Sequence, residues 1–140
     1  TLARANVLHA AGILAAGQGD HGLARSLLTA SLAVRRDLDD KVGIARALGN
    51  LGVVAQFQSD YEEAKARYQE ALELLRELGN KPGVAVSLNN LGSIAELQGD
   101  YARAGSLHEQ ALATRREIGD QQGIANSLNN LGKVAEERND

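Results

Sequence analysis

The phrase SLNNLGSIA at Ser87 returns as SLNNLGKVA at Ser127, and ALGNLGVVA at Ala47 is an earlier copy. The spacing is 40 residues each time, and seven of nine residues agree between the later two copies. A fixed period of this size constrains the fold more than any local propensity. Each unit must be one supersecondary element that buries its apolar face only against its neighbours. The rest of the unit keeps the same spacing. SDYEEA at Ser59 matches GDYARA at Gly99 and, more loosely, GDHGLA at Gly19; ELGNKPGVA at Glu77 matches EIGDQQGIA at Glu117 and DLDDKVGIA at Asp37. LHAAGILAAG at Leu8 reads as a worn first copy. The chain divides into a single array of repeats at about 1–40, 41–80 and 81–120 and a half repeat at 121–140. It starts at Thr1 in mid-pattern and reads as a piece of a longer protein.

Each unit reads as two helices. Leu88, Leu91, Gly92 and Ala95 fall at i, i+3, i+4 and i+7, one face of an α-helix. Gly99 breaks the pattern and Asp100 is a natural N-cap for the next segment, where the second unit's copy carries Tyr61, Ala64, Tyr68, Ala71, Leu72, Leu75 and Leu78 as its stripe. Gly79 suits the position after a helix end, Pro82 suits a first turn, and Asp40, Asn80 and Asp120 are further N-caps. The pattern predicts helices over 3–17, 21–38, 41–57, 61–78, 81–97, 101–118 and 121–137, and calls for no strand.

Hydrophobic residues make up 44% of the 140, enough for a real core, but aromatics are only 3% and Trp and Met are absent. The core must be Leu, Ala, Val and Ile, and small side chains favour close helix approach. The absence of cysteine excludes disulfides and thiolate chemistry and is compatible with a cytoplasmic location. A net charge of -3 from 15 basic and 18 acidic residues gives no footprint for nucleic acid or an anionic membrane. No apolar run approaches the roughly 18 residues of a membrane span, and no signal peptide is read.

The order Leu48, Leu51, Gly52, Ala55, Tyr61, Ala64, Tyr68, Ala71, with its copy Leu88, Leu91, Gly92, Ala95, Tyr101, Ala104, Ala111, resembles the tetratricopeptide repeat over essentially the whole chain. That family's usual unit is about 34 residues. The longer unit here, with second helices reaching Leu38, Leu78 and Ile118, is similar to the long-repeat subclass of bacterial signalling ATPases and regulators, kinesin light chains and spindle-orientation adaptors. The resemblance implies an all-α fold, a right-handed α-solenoid of antiparallel helix pairs. It also implies a binding scaffold whose first helices line a concave groove.

Two features need a physical reason. Gly12, Gly52, Gly92 and Gly132 each cost about 1 kcal/mol in mid-helix relative to alanine. An alanine follows three of them twelve residues on, at Ala24, Ala64 and Ala104, so close approach of paired helices is expected. Asn50, Asn90 and Asn130 precede the stripe leucine by one residue, and Asn89 and Asn129 by two. An exposed helix face prefers Glu, Lys or Gln. These amides therefore either brace one repeat against the next or pair with the main chain of a bound segment, as the resemblance implies. The candidate ligand-binding residues are His9, Asn50, Val53, Asn89, Asn90, Ser93, Asn129, Asn130 and Lys133, with Asn6, Ile13, Arg46, Gly49, Gln56, Glu96, Asn126 and Glu136 on the same helices. Basic residues are sparse there (Arg46 and Lys133, two repeats apart), so the carboxylate clamp of chaperone-binding members is not expected.

His9, His21 and His108 lie on separate segments with no metal-ligand spacing, and no metal site is expected. His108 takes the slot of Tyr68, and His21 that of Tyr61 and Tyr101, as packing residues. There is no phosphate-binding glycine loop and no nucleophile elbow, so neither a cofactor nor an enzyme is expected. Arg35-Arg36 and Arg115-Arg116 recur with the repeat and are expected to form solvated ion pairs with Asp39, Asp40 and Asp120. The expected function is a protein–protein interaction scaffold binding a peptide or helical segment, in the regulatory or sensor arm of a larger signalling protein. The alternative is self-association into homo-oligomers through the last helix, whose Leu128, Leu131 and Ala135 lack a partner helix.

Overall fold

A computed structural model describes residues 1–139. Among them all regular structure is helical: α1 (Leu2–Gly17), α2 (His21–Asp37), α3 (Lys41–Phe57), α4 (Tyr61–Glu77), α5 (Lys81–Leu97), α6 (Tyr101–Ile118) and α7 (Gln121–Asn139). The expected helices are reproduced to within two residues at every end. No described helix is long and apolar enough to cross a membrane.

The helices share one length because one punctuation recurs every 20 residues, half the sequence period. Residues 19, 39, 59, 79, 99 and 119 have left-handed backbone, with φ between 52° and 81°. Four are glycine; Asp39 and Ser59 accept the conformation at a cost of about 1 kcal/mol. The following residue is always Asp or Asn, and it serves two helices. Its backbone N–H closes the helix behind, as Asp20 N–H does on Ala15 O at 2.9 Å and Asp40 N–H on Arg35 O at 3.0 Å. Its side chain caps the helix ahead: Asp20, Asp40, Asp60, Asn80, Asp100 and Asp120 each accept from the backbone N–H three residues on, at 2.9–3.3 Å.

The chain forms two compact units, 1–74 and 75–140. In the first, α1 packs on α2 and α2 on α3, over a core including Ala5, Ala24, Leu28, Leu48 and Ala64. In the second, α5 packs on α6 and α6 on α7, around Leu88, Leu91, Ala104, Ala111 and Val134.

The mid-helix glycines mark where paired helices meet, but their partner is not the alanine twelve residues on. It is a large side chain sixteen residues on. A Cβ at Gly12 would stand 2.8 Å from Leu28 Cγ, one at Gly52 2.5 Å from Tyr68 Cε1, and one at Gly92 2.7 Å from His108 Cε1. Each of these three glycines is a seat for a guest side chain, and where the guest has a polar tip it finds its partner one turn along the glycine's helix. Tyr68 Oη donates to Gln56 Oε1 at 3.1 Å, and His108 Nε2 lies 3.0 Å from Glu96 Oε2. Burial pushes the Tyr68 hydroxyl up to about 12. His108 is fully buried, the packing role its register predicts.

The arginine pairs correct the expectation of solvated ion pairs. Arg36 is partly exposed and meets Glu70 at 2.7 Å, but Arg35 and Arg115 are buried. Arg35 donates to Asp40 Oδ2 at 2.7 Å, Asn6 Oδ1 at 2.9 Å and Ser31 Oγ at 3.3 Å. Arg115 donates to Ser127 Oγ at 2.8 Å and to the Gly123 carbonyl at 3.2 Å. Both lie over a glycine, Gly43 and Gly123, where a Cβ would collide with the arginine side chain. That second seat in the repeat is what allows a guanidinium inside. In the middle repeat Leu75 occupies it over Gly83, and Asn80 replaces the aspartate.

The seats make a matched pair of substitutions informative. Gly92→Ala drives a methyl into the His108 ring and should destabilise the chain by about 1–3 kcal/mol. Gly132, at the same register, has nothing within 4 Å of the added atom. Gly132→Ala should therefore stabilise it by up to about 1 kcal/mol. Thermal melts of the two variants check both signs.

Candidate functional site

The predicted ligand-binding residues fall on the first helix of each pair. In the first unit, the residues of α3 at 42, 46, 49, 53 and 57 follow helical spacing along one face. They are Val42, Arg46, Gly49, Val53 and Phe57, all exposed but for the half-buried Gly49. The α1 residues at the same register are Leu2, Asn6, His9 and Ile13. The structure joins the two helices at His9 and Asn50: Asn50 Nδ2 lies 3.1 Å from His9 Nε2. Burial first, then the charges of Arg35 and Arg46, hold the His9 imidazole below its ordinary value. The neutral ring can thus accept from the amide, whereas a protonated ring would set donor against donor.

In the second unit the same bond forms between amides. Asn130 Nδ2 donates to Asn89 Oδ1 at 2.7 Å, across the same 41-residue interval. Ser93 Oγ donates to the Asn89 carbonyl at 3.2 Å, within α5. Asn90 is half-buried, and Asn129 and Lys133 are exposed on α7. Asn50 and Asn130 thus hold successive first helices together, and the exposed Val53, Asn129 and Lys133 stand beside them.

Three residues placed with the groove by sequence have inward partners: Gln56 receives Tyr68, Glu96 faces His108 and Asn6 receives Arg35. Phe57 was missed. It is 69% exposed, and its ring stacks on His21 at 5.2 Å between centroids with 5° between planes. The signal was available in the register 17, 57, 97, 137, which reads Gly, Phe, Leu, Glu and so cannot be a core position. No cluster of three His, Asp or Glu suited to a metal forms among the described residues.

Comparison with known proteins agrees with this fold. A tetratricopeptide repeat family model matches residues 3–77 and 83–140. No curated protein sequence matches significantly. Among solved structures, BtubC (BKLC) from P. vanneervenii superposes with a TM-score of 0.89 at 25% identity, over 97% of this chain and 57% of that one. The apo form of RapI gives 0.90 at 17% identity, over 99% and 51%. A Signal Transduction ATPase with Numerous Domains protein with a tetratricopeptide repeat sensor, from Pyrococcus horikoshii, gives 0.90 at 15%, over 97% and 21%. The chain therefore spans about half or less of the length of two of these proteins and 57% of the third.

Two outcomes follow from the hydrogen bonds between first helices. Asn130→Ala should lower stability by about 1 kcal/mol even though alanine is the better helix former, whereas Asn129→Ala, on the exposed face, should leave the melt unchanged or raise it. His9 gives a pH dependence with a definite sign. Its folded value lies below 6.5, so the unfolded chain binds the proton more readily. Stability should fall as pH drops below 6.5 and level off beneath the folded value. Urea melts from neutral to mildly acidic pH should show that step in the native chain and lose it in His9→Gln.

Proposed function

Because the chain belongs to the tetratricopeptide repeat family, a family of protein-interaction modules, we propose that it is a scaffold holding a peptide or helical segment of a partner protein against the first helices of its pairs. The observation that carries this reading is the strip on α3 and α1. Val42, Val53, Phe57 and Ile13 are exposed in helical register on the same faces that the Asn50–His9 bond ties together. A solvated face has no reason to carry four large apolar side chains in line, and a bound segment with apolar anchors does. The polar edges at Arg46 and Asn50 would fix its direction. The second unit, taken by itself, carries Asn89, Asn90, Ser93, Asn129, Asn130 and Lys133, an amide-rich surface suited to the main chain of a bound segment.

The role as the regulatory or sensor arm of a larger signalling protein belongs to the same proposal, as does a cytoplasmic setting. The sensor description is that of the P. horikoshii protein, and the long repeat of this chain is what suggests it here. A second reading, self-association through α7, is favoured by Leu128. It is 49% exposed, whereas Leu48 and Leu88 at its register are buried.

Peptides selected from a random display library on the immobilised chain provide the test. Val53→Asp and Phe57→Asp should each weaken the best binder by about tenfold or more in titration calorimetry. The melt of Val53→Asp should stay unchanged, that of Phe57→Asp should lose no more than the His21 stacking, about 0.5–1.5 kcal/mol, and Glu109→Lys on α6 should bind normally. Selected peptides that bind Val53→Asp and Phe57→Asp as well as the native chain would refute the reading.

A further inference from the structure

Arg35 and Arg115 fill the same seat two repeats apart, yet only one of them meets an anion. Arg35 turns its Nη1 to Asp40 at 2.7 Å and its Nε–Nη2 edge to Ser31 at 3.3 Å and Asn6 at 2.9 Å. Arg115 donates from Nη1 alone, to the Gly123 carbonyl at 3.2 Å and Ser127 Oγ at 2.8 Å, both neutral oxygens. Among the described residues it forms no ion pair, and no acceptor meets its Nε or Nη2.

The difference lies in side-chain identity. Two repeats on from Ser31 and Asn6 stand Ala111 and Val86, whose side chains accept no hydrogen bond. Asp120 keeps the place of Asp40, but its carboxylate caps α7 through the Gly123 N–H at 2.9 Å and does not bond to Arg115. Glu117, two residues along α6, meets Lys81 at 2.9 Å. Every element that serves Arg35 has its counterpart within 75–140: α5 for α1, α6 for α2 and Asp120 for Asp40. Among the described residues α4, the helix after α3, supplies no bond to Arg35.

Arg115 is only 7% exposed. A guanidinium withdrawn this far from water is costly without an anion beside it. Leucine fills the same seat with no charge, as Leu75 does over Gly83. The unused edge is nonetheless open. Among the described residues the side-chain nitrogens sealed without a partner are histidine Nδ1 atoms, not Nε or Nη2 of Arg115. Those two groups carry parallel N–H bonds, the fork that matches the two oxygens of one carboxylate. Val86, at the register of Asn6, is 52% exposed, and Asn126, next to Ser127, is exposed too. An apolar stem and a second donor therefore stand on the helices that flank the arginine.

We propose that Arg115 receives one carboxylate of a partner's bound segment, an acidic side chain or a C-terminus, held side-on by Nε and Nη2. The source of the carboxylate rests on the peptide-binding reading above; the site itself rests on α5, α6 and α7 alone.

Acetate probes the site with no peptide present. Arginine Nε–H resonances are followed by NMR during titration with sodium acetate, against sodium chloride at matched ionic strength. The Arg115 signal, assigned by its loss in Arg115→Leu, should shift along a saturating curve with acetate and not with chloride. Its midpoint should be on the order of 10–100 mM, what one charge-assisted pair supports. Peptides selected from a display library on the native chain then test the source. Changing their acid to its amide, or amidating their C-terminus, should weaken binding to the native chain about tenfold and to Arg115→Leu by less than about twofold. Whichever change does so identifies side chain or terminus. Arg116→Leu, the same change in net charge on an exposed neighbour, should bind like the native chain. Arg115→Leu should fold, because Leu75 already occupies this seat, and should melt no lower than the native chain. An Arg115 signal that responds to acetate no more than to chloride overturns the proposal. So do peptides whose acid matters equally to the native chain and to Arg115→Leu. A chain that selects no peptide overturns the peptide-binding reading instead, and the acetate titration still decides whether Arg115 takes a carboxylate.

Discussion

Each helix junction in this chain rests on one aspartate or asparagine, and the rest of the architecture follows from it. The residue's amide closes one helix and its carboxylate or carboxamide opens the next, with a left-handed residue just before it. Repeating that device every 20 residues fixes the first six helices at 16 to 18 residues. Equal helices keep the same register at every interface. Only then can a glycine on one helix meet a guest from the next at the same height in every repeat.

The seat and its guest explain how a chain so poor in aromatics packs uniquely. The seat does not change, because nothing larger than hydrogen fits beneath the guest. The guest and its tip partner change together: Leu28 with Ala16, Tyr68 with Gln56, His108 with Glu96. An apolar guest is matched by a methyl, a hydroxyl by an amide and an imidazole by a carboxylate. At the second seat Arg35 bonds to Asp40 and Ser31, Arg115 bonds to Ser127 and the Gly123 carbonyl, and Leu75 stands there with Asn80 in place of the aspartate. In both places the polar atom at the guest's tip is paired, although His108 Nδ1 is buried without a partner.

Helices, caps and the repeat were legible in the sequence because they depend on neighbours a few residues apart. Gly79 and Asp100 announce themselves, but Asp39 and Ser59 do not, since neither is glycine and only the 20-residue rhythm assigns them a left-handed backbone. The guest in each glycine seat was hidden for another reason. Alanine twelve residues on and a bulky residue sixteen residues on lie on the same helix face, and composition alone favours the smaller. Arg35 and Arg36 show the limit most plainly. Adjacent and chemically identical, they part company because the helix turns one toward Gly43 and the other toward solvent and Glu70. The candidate site was legible only in part: bracing of one repeat against the next was one of two roles expected for Asn50 and Asn130, but their bonds to His9 and Asn89 depend on the separation of two helices, which no sequence pattern reports.

A repeat protein separates stability from recognition by register. Positions facing a neighbouring helix are constrained in every copy, so what they say about function is little. Positions facing neither neighbour are free to drift, and information lies where they fail to drift toward polar residues. The strip at 42, 53 and 57 behaves that way here, apolar though it faces solvent. It does not help the helix that bears it, because exposed Val and Phe are poorer helix formers than Glu or Lys. Their cost falls on the isolated chain, and a compensating gain can come only from the surfaces they meet.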